Sequence, residues 1–316
     1  MKIIIHCPSN SIAGGVESLH QLCDALSNDF DCYTCYYENE DSEIPEKFKK
    51  YKVKKTHYFD DKNTFHVIPE ISTKYFTSKI KEGFKIIYWL SVDNYLGLKD
   101  RSKIMNFLYY WNILLKSRLP IHRLKKYYHI SQSEYSNQFL KKNNLNFHYV
   151  GDYIDDRYTD VEHHDYQKKN IIIYNPKKGF DISSKIIEAT SYKFVPIINM
   201  NNSQIIELMK KSKIYIDFGR FPGRDKIPRE AVAMNNIIIL GKRGAAKNEV
   251  DYKIDEKYRI DIKGSKFNNK VISLIEDSLQ NYTKNIKDFT KFKEVILNEN
   301  KIFKKEAINF FKKIKN

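Results

Sequence analysis

Runs such as KIIIH (2–6), KIIYWLSV (85–92), NIIIYN (170–175) and IIIL (237–240) carry almost no polar residue, so strands built from them are apolar on both faces. Such strands must be covered on both sides, which is the condition of a parallel sheet flanked by helices. After the first run, a loop from Pro8 to Gly15 leads into Val16, Leu19, Leu22, Cys23 and Leu26 at helical spacing. The runs CYTCYY (32–37), FHVIP (65–69), YYHIS (127–131) and FHYVG (147–151) alternate with helical segments at 102–116 and 133–142. A polar stretch, DDRYTDVEHHDYQKK (155–169), then reads as a linker. Beyond it the alternation restarts: NIIIYN, a helix near 181–190, FVPIIN (194–199), a helix at 203–211, IYIDF (214–218), a helix from Pro228, and IIIL. Residues 267–316 are helical in pattern. Two parallel α/β units are therefore expected, with ligand sites in a cleft between them.

Composition narrows the function classes. The net charge of +16 invites a nucleic-acid reading, but lysine, isoleucine, asparagine, tyrosine and phenylalanine are abundant throughout, and no helix-turn-helix, zinc-finger or RNP-type signature accompanies the charge. No nucleic-acid partner is expected. No apolar run approaches the roughly 18 residues of a membrane span, and the N-terminus lacks signal-peptide flanks, so a cytoplasmic protein is expected. Cys7, Cys23, Cys32 and Cys35 all fall early in the chain and read as free thiols. CYTC (32–35) has no second pair and the histidine pair 163–164 lies in the linker, so no metal site is expected.

The scarce residues locate a candidate site. Of nine arginines, Arg220, Arg224, Arg229 and Arg243 fall within 219–244, together with Gly219, Gly223, Gly241 and Gly244. Planar bidentate donors beside glycines suit close approach to phosphate or carboxylate. Ligands of parallel sheets sit beyond the carboxyl ends of the strands, which singles out three loops. Gly14-Gly15 opens a helix after the first strand, NPKKG (175–179) follows the strand that begins the second unit, and GRFPGRDKIPRE (219–230) precedes a helix. With Pro228 at the first helical position, Arg229 and Glu230 would occupy the first turn.

Together, Gly14-Gly15-Val16-Glu17, Lys177-Lys178-Gly179 and the helix opening PREAVA (228–233) followed by IIILG resemble glycosyltransferases of the GT-B fold, most closely the group 1 enzymes that build bacterial surface polysaccharides. The resemblance implies two Rossmann-like domains facing a cleft: an acceptor-side domain over 1–155, a nucleotide-sugar domain over 168–285, and a C-terminal helix over 286–316 packing back on the first domain. It puts Glu230 on the donor ribose and Lys177 or Lys178 on the diphosphate. The family's second Glu, eight positions earlier, is Pro222 here, and Asp225 is the nearest acid on the donor side. The implied substrates are a UDP-sugar and a glycan or lipid-linked acceptor of capsule or O-antigen assembly, with no cofactor.

In glycosyl transfer, negative charge grows on the leaving diphosphate, and fixed cations there lower the barrier. Arg224, Arg229 and Lys178 are the candidates, without a metal. Asp93, at the end of an apolar strand, and Glu17 are candidate acceptor bases, although either also suits turn or helix-start chemistry. Trp89 and Tyr95 are candidates for stacking on sugar rings. A nucleotide-sugar epimerase on the same fold and a non-enzymatic anion-binding protein are the alternatives. In the C-terminal segment Phe303, Ala307, Phe310 and Ile314 follow one helical face among lysines, which suits packing on the first domain, with the lysine face drawing the protein to the anionic inner surface of the membrane.

Overall fold

A computed structural model describes residues 1–9, 11–100, 102–159 and 167–315; the histidine pair and the middle of the polar stretch, 160–166, lie outside them. The chain divides into two compact units, residues 1–153 with 300–316, and residues 154–299.

The first unit contains β1 (Lys2–Cys7), α1 (Gly14–Leu26), β2 (Asp31–Tyr36), β3 (Thr64–Pro69), α2 (Thr73–Lys79), β4 (Phe84–Trp89), α3 (Val92–Leu96), α4 (Lys103–Lys116), α5 (Ile121–Leu124), β5 (Tyr128–Ser131), α6 (Glu134–Lys142) and β6 (His148–Tyr149). Its strands form one parallel sheet in the order β2-β1-β3-β4-β5-β6. Alternate residues of β4 serve two cores: Ile86 and Tyr88 join Ile3, Leu19, Phe48 and Val67, whereas Ile87 and Trp89 join Ile68, Phe76 and Leu140. This is why the strands are apolar on both faces.

The second unit contains β7 (Lys169–Tyr174), α7 (Phe180–Glu188), β8 (Lys193–Pro196), α8 (Asn202–Lys211), β9 (Ser212–Asp217), α9 (Lys226–Ala233), β10 (Ile237–Gly241), β11 (Arg259–Ile260), α10 (Phe267–Gln280), α11 (Tyr282–Asn285) and the start of α12 (Thr290–Lys315). Its sheet is parallel in the order β11-β10-β9-β7-β8. The expected α/β alternation is borne out in both units.

The unit division falls within α12. Its later residues Phe303, Ala307, Phe310 and Phe311 are buried in the first unit's core, and Ile314 packs against it, so the apolar stripe of this helix is not open to lipid. No helix among the described residues is long and apolar enough to cross a membrane.

Local chemistry corrects two boundaries. β4 stops at Trp89, and the Ser91 hydroxyl accepts from the Asn94 amide to cap α3, so Asp93 lies in a helical first turn and not on a strand end. In the second unit α9 begins two residues before Pro228, which takes the third helical position. Proline is tolerated there because the first N–H groups of a helix have no intrahelical acceptor. Glu230 is thereby moved beyond the first turn.

Candidate functional site

Strand order reverses between β7 and β9 in the second sheet, so the loops following those two strands diverge from a topological switch point, where ligands of such sheets bind. After β7, the Asn175 side chain accepts from the Lys177 amide at 3.0 Å and turns the chain. Gly179 then caps α7 at φ 66°, and a Cβ there would lie 2.4 Å from the Gly219 nitrogen. The two loops thus meet backbone to backbone, which explains the glycine.

Lys178 lies across Gly219, with its Nζ 3.2 Å from Asp217 and ion-paired with Asp225. The same ammonium donates to the Arg220 carbonyl at 3.3 Å and sits 4.3 Å from the Phe221 ring centroid. Asp217 also accepts from Tyr215 at 2.9 Å and from the Gly219 amide at 2.8 Å. Burial works to lower the Lys178 pKa, but Asp225 and Asp217 outweigh it and hold the ammonium above its usual range. Its side chain keeps 25% of its surface exposed. Lys177 is exposed, while Arg220 and Glu230 are half-buried. Arg243 donates to the Phe218 carbonyl at 3.3 Å.

Arg224 and Arg229 take a different part from the open diphosphate cations expected. Both are buried on the two oxygens of one carboxylate, Glu299: Arg224 through Oε1, and Arg229 through Oε2 at 2.6 Å. Arg229 also donates to the carbonyls of Arg224 at 3.1 Å and Asp225 at 3.3 Å. Two desolvated guanidiniums need a counter-charge, and Glu299 supplies it. Their charge is thus committed to fixing the loop ahead of α9. Asp217 and Glu299 carry no signal in the sequence: one is the last residue of a strand, the other a Glu 70 and 75 positions from its two partners.

In the first sheet the order reverses between β1 and β3. Gly14 is exposed with open space where a Cβ would be, and Gly15 has the Leu90 side chain 3.5 Å from that position. Glu17 does not face this edge. It is buried, with Lys47 at 3.2 Å, Lys50 at 3.7 Å and the Tyr51 hydroxyl donating at 3.0 Å. The Asp93 carboxylate is buried as well and accepts from Tyr135 at 2.7 Å. Trp89 and Tyr95 are core residues, donating to His129 at 3.0 Å and to the Leu119 carbonyl at 2.7 Å, which removes them from sugar stacking. The unexpected acid is Glu70, immediately after β3, whose Oε2 accepts from the Leu90 amide at 3.2 Å. Burial pushes its pKa up to about 7. Among the described residues no group of three or more His, Cys, Asp and Glu could hold a metal ion.

No protein-family model matches the sequence. A comparison with curated proteins also finds no match. Solved structures are similar along the full length. Anabaena HepE in complex with UDP-glucose aligns at TM-score 0.66 and 9% identity, covering 99% of this chain and 100% of that one. Sucrose-phosphate synthase of Thermosynechococcus elongatus aligns at 0.63 and 7%, covering 100% and 98%. A Rickettsia africae glycosyltransferase aligns at 0.58 and 12%, covering 97% and 98%. At such identities the likeness speaks for the fold: the chain has the GT-B fold.

Two outcomes follow from the buried charges. Glu299→Ala strands both guanidiniums and should cost about 3–5 kcal/mol, read from denaturant midpoints; a loss below about 1 kcal/mol would contradict the pairing. Glu70 supplies a pH test. Its folded pKa of about 7 lies above the unfolded value near 4.3, so the folded chain holds the extra proton between them and stability falls as pH rises through that window. Glu70→Gln keeps an acceptor for the Leu90 amide and removes the titration. The variant should match wild type near about pH 4 and exceed it by about 2–4 kcal/mol near pH 8. Parallel stability curves would place the Glu70 pKa in the ordinary range.

Proposed function

We propose that the protein is a glycosyltransferase that moves a sugar from a UDP-sugar to a glycan or lipid-linked acceptor in the assembly of a bacterial surface polysaccharide such as capsule or O-antigen. The observation that carries the reading is an ammonium fixed at the switch point of the second sheet of a GT-B fold. HepE, similar over the whole chain, was solved with UDP-glucose, which supports a UDP-sugar as donor.

In this reading Lys178, kept charged by Asp217 and Asp225, meets the diphosphate as the glycosidic bond to it breaks. A cation already placed where charge develops late is worth most; to meet the diphosphate Lys178 exchanges one of its three acceptors, Asp217, Asp225 or the Arg220 carbonyl, for a phosphate oxygen. Lys177 and Arg220 border the same loops and add positive potential. The Gly14-Gly15 turn lets backbone amides approach the donor without a side chain in the way. Glu230 receives the ribose hydroxyls. Arg224 and Arg229 act through the loop they hold, with no direct contact to the donor. Asp225 aligns Lys178, and Asp93, in the first turn of α3, is the acid assigned to the acceptor. Charge neutralisation by lysine calls for no metal, so turnover should survive chelation.

Calorimetric titration with UDP and turnover of UDP-glucose test the proposal together. Glu230→Ala should weaken UDP binding by about 1.5–3 kcal/mol. Lys178→Met should lower kcat more than it raises KM, by on the order of 100-fold. Activity lost on chelation and restored by a divalent ion would overturn the metal-free mechanism. Absence of UDP binding by the folded wild-type protein would sink the assignment, and conversion of the donor's sugar without acceptor would replace it with epimerisation.

A further inference from the structure

Helix α4 is turned inside out. In an ordinary surface helix the apolar stripe faces the core. Here Ile104, Phe107, Leu108, Trp111 and Leu115 follow the i, i+3, i+4, i+7, i+11 rule and are each 54–73% exposed. Ile113, on the opposite side, is the helix's buried residue. The arrangement is held by specific bonds and not by loose packing. Asn106 exchanges two 3.1 Å hydrogen bonds with the Lys99 backbone, Tyr110 packs edge-on against Tyr95, and the Lys74 amide donates to the Ser117 carbonyl at 3.1 Å. The Ser102 hydroxyl caps the first turn, accepting from the Met105 amide.

The charge along α4 and the segment after it has one sign, with Asp100 ahead of the helix. Residues 102–133 contain six Lys and Arg and no Asp or Glu, in a chain with 39 acids. Lys103 and Lys116 bracket the helix, and Arg123, Lys125 and Lys126 are exposed beyond it. An apolar ridge flanked mainly by cations complements a surface that is anionic above and hydrocarbon below. A second copy of this chain would bring the same cations against themselves. The helix, roughly 21 Å long by its 14 residues, is too short to span a bilayer core of about 30 Å but suits the headgroup boundary.

We propose that α4 is a membrane-docking helix, which inserts Ile104, Phe107, Leu108, Trp111 and Leu115 into the interface of an anionic lipid bilayer while the flanking lysines and arginines bind headgroup phosphates. Through Tyr110 on Tyr95 and Ile113 beside Gly97, the docked helix is joined to α3, which carries Asp93. A surface-bound enzyme of this kind would take its acceptor from the lipid phase. The docking itself needs no donor, so its test is independent of the assignment above.

The full-length protein is floated with vesicles of phosphatidylcholine alone and of phosphatidylcholine with phosphatidylglycerol. Binding should require the anionic lipid and weaken with added salt. Replacing Phe107, Leu108 and Trp111 together by serine should cut the bound fraction at least about tenfold and leave the thermal midpoint of the free protein intact, since these side chains face solvent. Of the two tryptophans, Trp89 is fully buried, so Trp111 should carry an emission blue shift on adding anionic vesicles, and Trp111→Phe should abolish the shift while binding persists. No flotation at low ionic strength would overturn the proposal, as would triple-variant binding equal to wild type. Self-association without vesicles, abolished by the triple variant and accompanied by no flotation, would assign the face to a second copy and refute the lipid.

Discussion

Two guanidiniums bound to the Glu299 carboxylate hold the loop on which the candidate donor site depends. Each ion taken singly out of water costs several kcal/mol, and Arg229 has no exposed surface at all. Sharing one carboxylate leaves the cluster with a residual positive charge, which backbone carbonyls at Arg224, Asp225 and Asp251 help to satisfy. The polypeptide from β9 to α9 therefore has one low-energy course. That course brings Asp225 to Lys178 and lets Gly179 and Gly219 touch. Arg224 and Arg229 thus fix the loop, and the loop in turn holds the Lys178 ammonium.

The strands were legible because burial on two faces leaves a plain mark: three isoleucines in a row at 3–5, 171–173 and 237–239 put apolar side chains on both sides of the sheet at once. Helix starts were less legible. Ser91, which ends β4 early, is a hydroxyl within an apolar run, and Asp225 precedes a helix without its side chain capping it, because that carboxylate is engaged by Lys178. Lys178 was visible from its position after a strand. The arginine cluster was visible too, but its role depended on a residue contributed from the far end of the unit, and spacing carries no record of such a pairing.

The same blindness applied to the acids of the first unit. Glu17 and Asp93 sit near the strand ends in sequence, yet both are bound internally, Glu17 to two lysines and Tyr51, Asp93 to Tyr135. Glu70 after FHVIP looks ordinary in the sequence, since an acid following a strand commonly begins a helix. Its distinction is environmental: desolvation beside the Leu90 amide, which only three-dimensional packing produces. The outward face of α4 was hidden for a related reason. Periodicity identifies an apolar stripe but not the direction in which it points.

The division of α12 has a consequence for how the chain is made. The first unit's core is built from residues 1–153 and completed by Phe303, Ala307, Phe310 and Phe311. On the ribosome those four side chains emerge only after the whole of the second unit. The second unit can therefore fold as one uninterrupted segment while the earlier core, covered in part by α1, waits for the closing helix. Translation order and order of completion run in opposite directions, and in the interval between them the apolar surface that Phe303, Ala307, Phe310 and Phe311 will cover stays exposed.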